Sequence, residues 1–143
     1  MKNYWVSMTY NSGKRTVIGV LNYLNGEPVL IHHTVKTQYH HPTSAPGGVD
    51  VGLISFMKAK GINRLIHQTY GREITISELD LVPPQETIIR TGPFKGQKTK
   101  RVFIPIDMWR RSDLDRYEKP DSYNDEIALD ETGIPFSIGV DTR

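Results

Sequence analysis

At 143 residues and 16.3 kDa, the chain has the size of one domain with a sizeable core, and 37% hydrophobic with 24% charged residues is ordinary for a globular protein. The absence of Cys excludes disulfides, thiolate catalysis and Cys-ligated zinc. No apolar run approaches bilayer length and Met1-Lys2-Asn3-Tyr4 opens no signal-peptide core, so a cytoplasmic protein with no membrane association is expected.

The net charge of +2 hides an asymmetry. Residues 1–109 hold 13 Lys/Arg against 7 Asp/Glu, whereas residues 110–143 hold 5 against 9. The chain therefore divides into a basic core domain over 1–109 and an acidic C-terminal segment over 110–143, partly irregular and expected to pack on the core. Such a body faces an anionic partner, folds its own tail against itself, or merely carries solvated charge.

Tyr4 to Tyr10 is aromatic and β-branched and predicts a strand. Asn11-Ser12-Gly13-Lys14-Arg15 supplies turn chemistry, Thr16 to Tyr23 a second strand, Asn25-Gly26 another hairpin turn and Pro28 to Thr37 a third strand. Together they predict an antiparallel meander. Tyr39 to Gly48, rich in Pro and Gly, reads as a loop. Asp50 then stands as N-cap of a helix through Lys60, with Leu53, Ile54 and Met57 as its apolar stripe and Gly61 as its left-handed stop. Asn63 to Tyr70 and Glu73 to Ile76 are strands around Gly71, and Ser77 to Asp80 a short helical turn. Glu86 to Thr91 and Arg101 to Ile106 are strands flanking a Gly- and Lys-rich loop; residues 110–126 read as irregular and Ile134 to Val140 as an edge segment. The expected fold is a single α+β domain, an antiparallel meander with one capped helix packed on a mixed, mainly antiparallel sheet. If the third strand and the one after the helix share that sheet, they run parallel. The aromatic first hairpin leaves rings on both faces, enough for a possible homodimer contact.

One frame occurs twice, as Leu30-Ile31-His32-His33-Thr34 and Leu65-Ile66-His67-Gln68-Thr69. On strands, Leu, His and Thr of each copy share a face, so an imidazole and a hydroxyl can meet one phosphate oxygen. The two His-x-Thr motifs resemble the signature of the 2H phosphoesterase superfamily, although a longer duplicated lobe separates the motifs in that family. The resemblance covers ten residues and implies a metal-independent phosphodiesterase, with His32 and His67 as the acid–base pair and Thr34 and Thr69 binding phosphate oxygens.

His32, His33, His40 and His41 cluster near Asp50, but adjacent His on a strand point apart and the spacing fits no structural zinc pattern, so no metal is expected. Thr91 to Arg101 approaches a P-loop through Gly92, Lys98 and Thr99, yet Gln97 replaces the second Gly, Pro93 removes an amide and a strand follows. Neither a dinucleotide fingerprint nor a Ser nucleophile elbow occurs, and no cofactor is expected. What remains of 91–101 is a basic hairpin tip in which Phe94, Lys95, Lys98, Lys100 and Arg101 suit a nucleic-acid backbone and an unpaired base. Three readings stay open: an accessory protein binding nucleic acid or another phosphate-bearing ligand, a phosphodiesterase, or a protein-interaction or inhibitor module acting through the acidic segment.

Overall fold

In Tyr4–Thr9 (β1), alternation sends Val6 and Met8 into the interior and Trp5 and Ser7 to the opposite face. The structure is a computed structural model that describes residues 2–9, 13, 15–33, 44–68, 71–88, 95–114 and 117–136, without the side chains of 44–47, 87, 99 and 106. Arg15–Leu24 (β2) and Glu27–His32 (β3) complete the antiparallel meander. Asn25 and Gly26 turn the second hairpin at φ of 52° and 83°, the two positive values a type I′ turn requires. Gly19 lies opposite His32, and a Cβ there would come 2.2 Å from the Ile31 carbonyl oxygen. Only glycine lets β2 close against the end of β3.

Ser44–Asp50 (β4) corrects the later part of the loop expected over Tyr39 to Gly48, whose residues 39–43 lie outside the described residues. Val51–Lys60 (α1) follows directly, burying Leu53, Ile54, Phe56 and Met57. Asp50 has the extended backbone of a cap but makes no capping bond through its side chain. Gly61, at φ 70°, ends the helix, and the Ile62 amide reaches back to the Met57 carbonyl at 2.9 Å. Arg64–His67 (β5) and Arg72–Thr75 (β6) come next. Ile76–Leu79 (α2) starts with a complete capping box between Thr75 and Glu78, whose carboxylate also takes two bonds from Arg110.

Gln85–Ile88 (β7) and Lys98–Pro105 (β8) form a hairpin, and β8 pairs on its other side with β4. The β4 register breaks between Ser44 and Gly48, a break that spans Pro46 and its missing amide. A 3₁₀ turn at Ile106–Met108 leads to Arg110–Arg111 (β9), which pairs with β6. Glu126–Leu129 (β10) lies parallel to β1, and Pro135–Phe136 (β11) forms the outer edge.

The result is a mixed α+β body with an eight-stranded sheet, β11-β10-β1-β2-β3-β5-β6-β9, and a three-stranded sheet, β4-β8-β7. As expected from the helix between them, β3 and β5 are parallel neighbours. The main core joins Leu30 and Leu65 to Val49, Leu53, Phe56, Val102 and Trp109. A smaller cluster of Val29, Ile31 and Ile66 occupies the other face under Leu114 and Tyr117.

The described residues of the acidic segment therefore contribute β9, β10 and β11 to the main sheet and lay Leu114 and Tyr117 on its outer face. Between β9 and β10 the described residues carry no strand. Glu126 accepts a bond from buried Ser7 at 2.5 Å and pairs with Arg15, while Asp125 pairs with Lys2. The turn between β10 and β11 seats Gly133 against Gly52 of α1 so closely that a Cβ on Gly133 would come 1.9 Å from the Gly52 carbonyl oxygen. Among the described residues, no helix is long and apolar enough to cross a membrane.

Candidate functional site

Parallel pairing sets the two Leu-Ile-His runs side by side in exact alignment: Leu30 opposite Leu65, Ile31 opposite Ile66, His32 opposite His67. Since Leu30 and Leu65 enter the main core, His32 and His67 point to the same side two residues further on. Their ring centroids lie 6.0 Å apart at an interplanar angle of 45°. Each is the last residue of its strand, so the pair stands at the carboxyl ends of β3 and β5. In open α/β sheets, ligands gather at that end of parallel strands. Trp109 extends the row, edge-on to His67 at 6.0 Å and 89°.

Solvent touches only 6% of His32 and 3% of His67. Burial, then the positive charge of Arg101, then His33, push the His32 imidazole down to about 3, so it is neutral at pH 7. His33 faces the other side of the sheet, where its Nε2 lies 2.7 Å from the Tyr117 hydroxyl and its ring is edge-on to Trp5. Its pKa is lowered by burial and by Lys119. Thr34 and Thr69, the hydroxyl members of the two motifs, lie outside the described residues. So do His40 and His41, and among the described residues no group of three or more His, Asp or Glu is arranged to hold a metal ion.

The basic hairpin tip splits. Phe94 lies outside the described residues, and Lys95, Lys98 and Lys100 are exposed. Arg101, expected beside them on the surface, is instead 5% exposed and belongs to β8. Strand alternation accounts for the difference, because it turns Lys98 and Lys100 one way and Arg101 the other. The Arg101 guanidinium donates from Nη1 to the Gly48 carbonyl at 3.2 Å and holds Nη2 3.5 Å from Asp50. Gly48 makes room, since a Cβ there would press within 3.0 Å of the Arg101 Cδ. Lys98 and Lys100 line a cavity of about 420 Å³ whose wall also carries Asp50, Glu86 and Glu131, so carboxylates face those two cations.

Among the described residues, buried polar atoms without a hydrogen-bond partner include His32 Nδ1, Arg101 Nε and Trp109 Nε1. An unpartnered buried polar atom is uncommon and destabilises by roughly 1–3 kcal/mol. Trp109 was not among the residues singled out by sequence. Its position just after an apolar strand was the only available sign, and that sign reads equally as core.

Comparison with protein-family models, curated proteins and solved structures finds no match. The functional reading accordingly rests on this geometry alone.

Proposed function

We propose that the chain cleaves or transfers a phosphodiester, with His32 and His67 exchanging protons with the reacting oxygens. The observation that carries this reading is the alignment of the two His on adjacent parallel strands, with imidazoles 6.0 Å apart on one face. Phosphoryl transfer from a diester needs a proton taken from the attacking hydroxyl and another given to the leaving oxygen. A neutral imidazole does the first and an imidazolium the second, so two adjacent His can divide the work.

Burial is the larger cause of the low His32 pKa and Arg101 the next; the negative charge of a phosphodiester brought alongside counters the second and so raises the basicity of His32. Exclusion of water strengthens that electrostatic coupling. In this reading Thr34 and Thr69, which lie outside the described residues, are assigned the phosphate oxygens. The test is turnover of bis(p-nitrophenyl) phosphate and of 2′,3′-cyclic nucleotides in the presence of chelator. His32→Ala and His67→Ala are each expected to lose about a hundredfold or more in kcat, the usual worth of general acid–base catalysis. Wild-type turnover in both variants would end this reading.

A second reading, nucleic-acid binding without chemistry, is favoured by the exposure of Lys95, Lys98 and Lys100. Fluorescence anisotropy against single- and double-stranded oligonucleotides over a salt series tests it, because phosphate contacts impose a steep salt slope. Affinity that is absent at low salt, or unchanged by salt, removes it.

A further inference from the structure

We infer that His32 and His67 form a binding site for one soft monovalent cation of the Cu(I) class, held in line between one nitrogen of each imidazole. This goes beyond the phosphodiester reading and does not depend on it, since it uses only the placement of the two rings. The unshifted β3–β5 register puts both His at the same level on one face. Their ring centres stand 6.0 Å apart with the planes tilted by 45°, so the rings are not stacked face to face. Metal–imidazole bonds run about 2 Å, and two of them in line, with the depth of each ring added, hold the ring centres roughly 6 Å apart. The observed separation matches that of a bis-imidazole site. His32 is 6% exposed and its Nδ1 has no hydrogen-bond partner, so a polar nitrogen is enclosed there at a cost that a bound ion would offset.

The surroundings select the ion. Among the described residues no group of three or more His, Asp or Glu is placed to hold a metal, which leaves a donor set of two nitrogens. Zn(II) takes a tetrahedral shell, and Ca(II) and Mg(II) take shells of oxygen, so none of them is satisfied by this pair. Cu(I) and its redox-inert analogue Ag(I) accept two donors in line, and imidazole is a suitable ligand for copper. Charge points the same way. Leu30 and Leu65, two residues before the His, belong to the main buried core, and a single charge costs far less to enclose there than a double one. The chain has no Cys to compete for a soft ion, and Met8 and Met57 are sealed in that core. Trp109, edge-on to His67 at 6.0 Å, closes the row and sets an indole beside the ion. An ion seated between the rings occupies nitrogens that acid–base chemistry needs, so it also blocks that chemistry.

The experiment is titration of the full chain with Ag(I), a probe that needs no reductant, in chloride-free buffer at neutral pH. Calorimetry and long-range proton–nitrogen spectra of the imidazoles follow it. One equivalent is expected to shift one nitrogen of His32 and one of His67 together, leaving His33 unmoved, and to quench Trp109 fluorescence in a Trp5→Phe background. His32→Leu and His67→Leu, each checked for folding by circular dichroism, are expected to bind about a hundredfold more weakly, because the second bond is then no longer intramolecular. Zn(II) is expected to bind the parent more weakly than Ag(I) does. Several results overturn the site: no saturable uptake by the parent, uptake that leaves either histidine unmoved, undiminished affinity in a folded variant, or tighter binding of Zn(II). The parent spectra decide the matter even where a variant fails to fold. Ag(I) held by both rings of a chain that cleaves no diester supports the site and removes the chemistry proposed above. Diester turnover by a chain that takes up no Ag(I) does the reverse.

Discussion

Replacing His32 with Leu removes a titrating group from the interior, and its consequence for acid stability follows from the burial of the ring. The imidazole takes a proton at about 6.5 in the unfolded chain and only at about 3 when folded. Between those values the unfolded state binds more protons, so stability rises with pH. The contribution is fully present above the unfolded pKa and is lost as pH falls below it. At about 1.4 kcal/mol per pH unit, the wild type loses about 2 kcal/mol from His32 on going from neutral pH to pH 5. That is a sizeable part of the roughly 5–15 kcal/mol of a typical domain. His33, also lowered, contributes in both proteins and cancels in the comparison. Urea unfolding of wild type and His32→Leu at pH 7, 6 and 5 should give curves of stability against pH that diverge by about 2 kcal/mol at pH 5, the variant being flatter. Parallel curves would refute the argument, because they would mean that His32 is solvated enough to charge in the native state.

Four further substitutions test the scaffold around the site. Gly133→Ala forces a side chain onto a φ of 87° and into the Gly52 carbonyl, so it should destabilise by about 2 kcal/mol or more in chemical denaturation and loosen the β10–β11 turn from α1. Thr75→Ala breaks the capping box of α2 and should cost about 1 kcal/mol, read in the same assay. Glu78, held down at about 2 by Arg110 and Thr75, favours the folded state above its unfolded pKa near 4.5; its contribution fades as pH falls towards 2, and Glu78→Gln should weaken acid sensitivity in that window alone. Tyr117→Phe removes the hydroxyl beside His33 and should cost about 1 kcal/mol while leaving any diester turnover unchanged, since it acts on the opposite face of the sheet.

Much of the architecture was legible because it is local. The Asn25-Gly26 turn, the Gly61 stop after α1 and the Thr75–Glu78 box are each decided within a few residues by φ preference or a short side-chain bond. β4 was illegible for the converse reason. Pro46, Gly47 and Gly48 argue for a loop, and only long-range pairing with β8, its register broken between Ser44 and Gly48, overrides them. The parallel union of β1 with β10 joins residues more than a hundred positions apart, and no pattern in either segment names its partner. The fate of the acidic segment was hidden with it.

The candidate site divides along the same line. That Leu, His and Thr share a face follows from a period of two. Whether two such strands lie adjacent, parallel and unshifted is a property of the sheet, and the Leu-Ile-His echo acquires meaning only through that register. Arg101 shows the matching error. Counted among the lysines of a basic loop it looked like surface charge, yet the alternation that exposes Lys98 and Lys100 necessarily turns Arg101 to the other side of β8. A cation in that position opens the apolar run Val102–Ile104, whose burial carries the neighbouring guanidinium inward with it. Its charge then needs a counterion, and Asp50, left without a capping role at the head of α1, stands 3.5 Å away. The residue that sequence placed at the head of a helix and the one it placed on a loop thus meet as an enclosed ion pair, a contact that no pattern local to either segment announces.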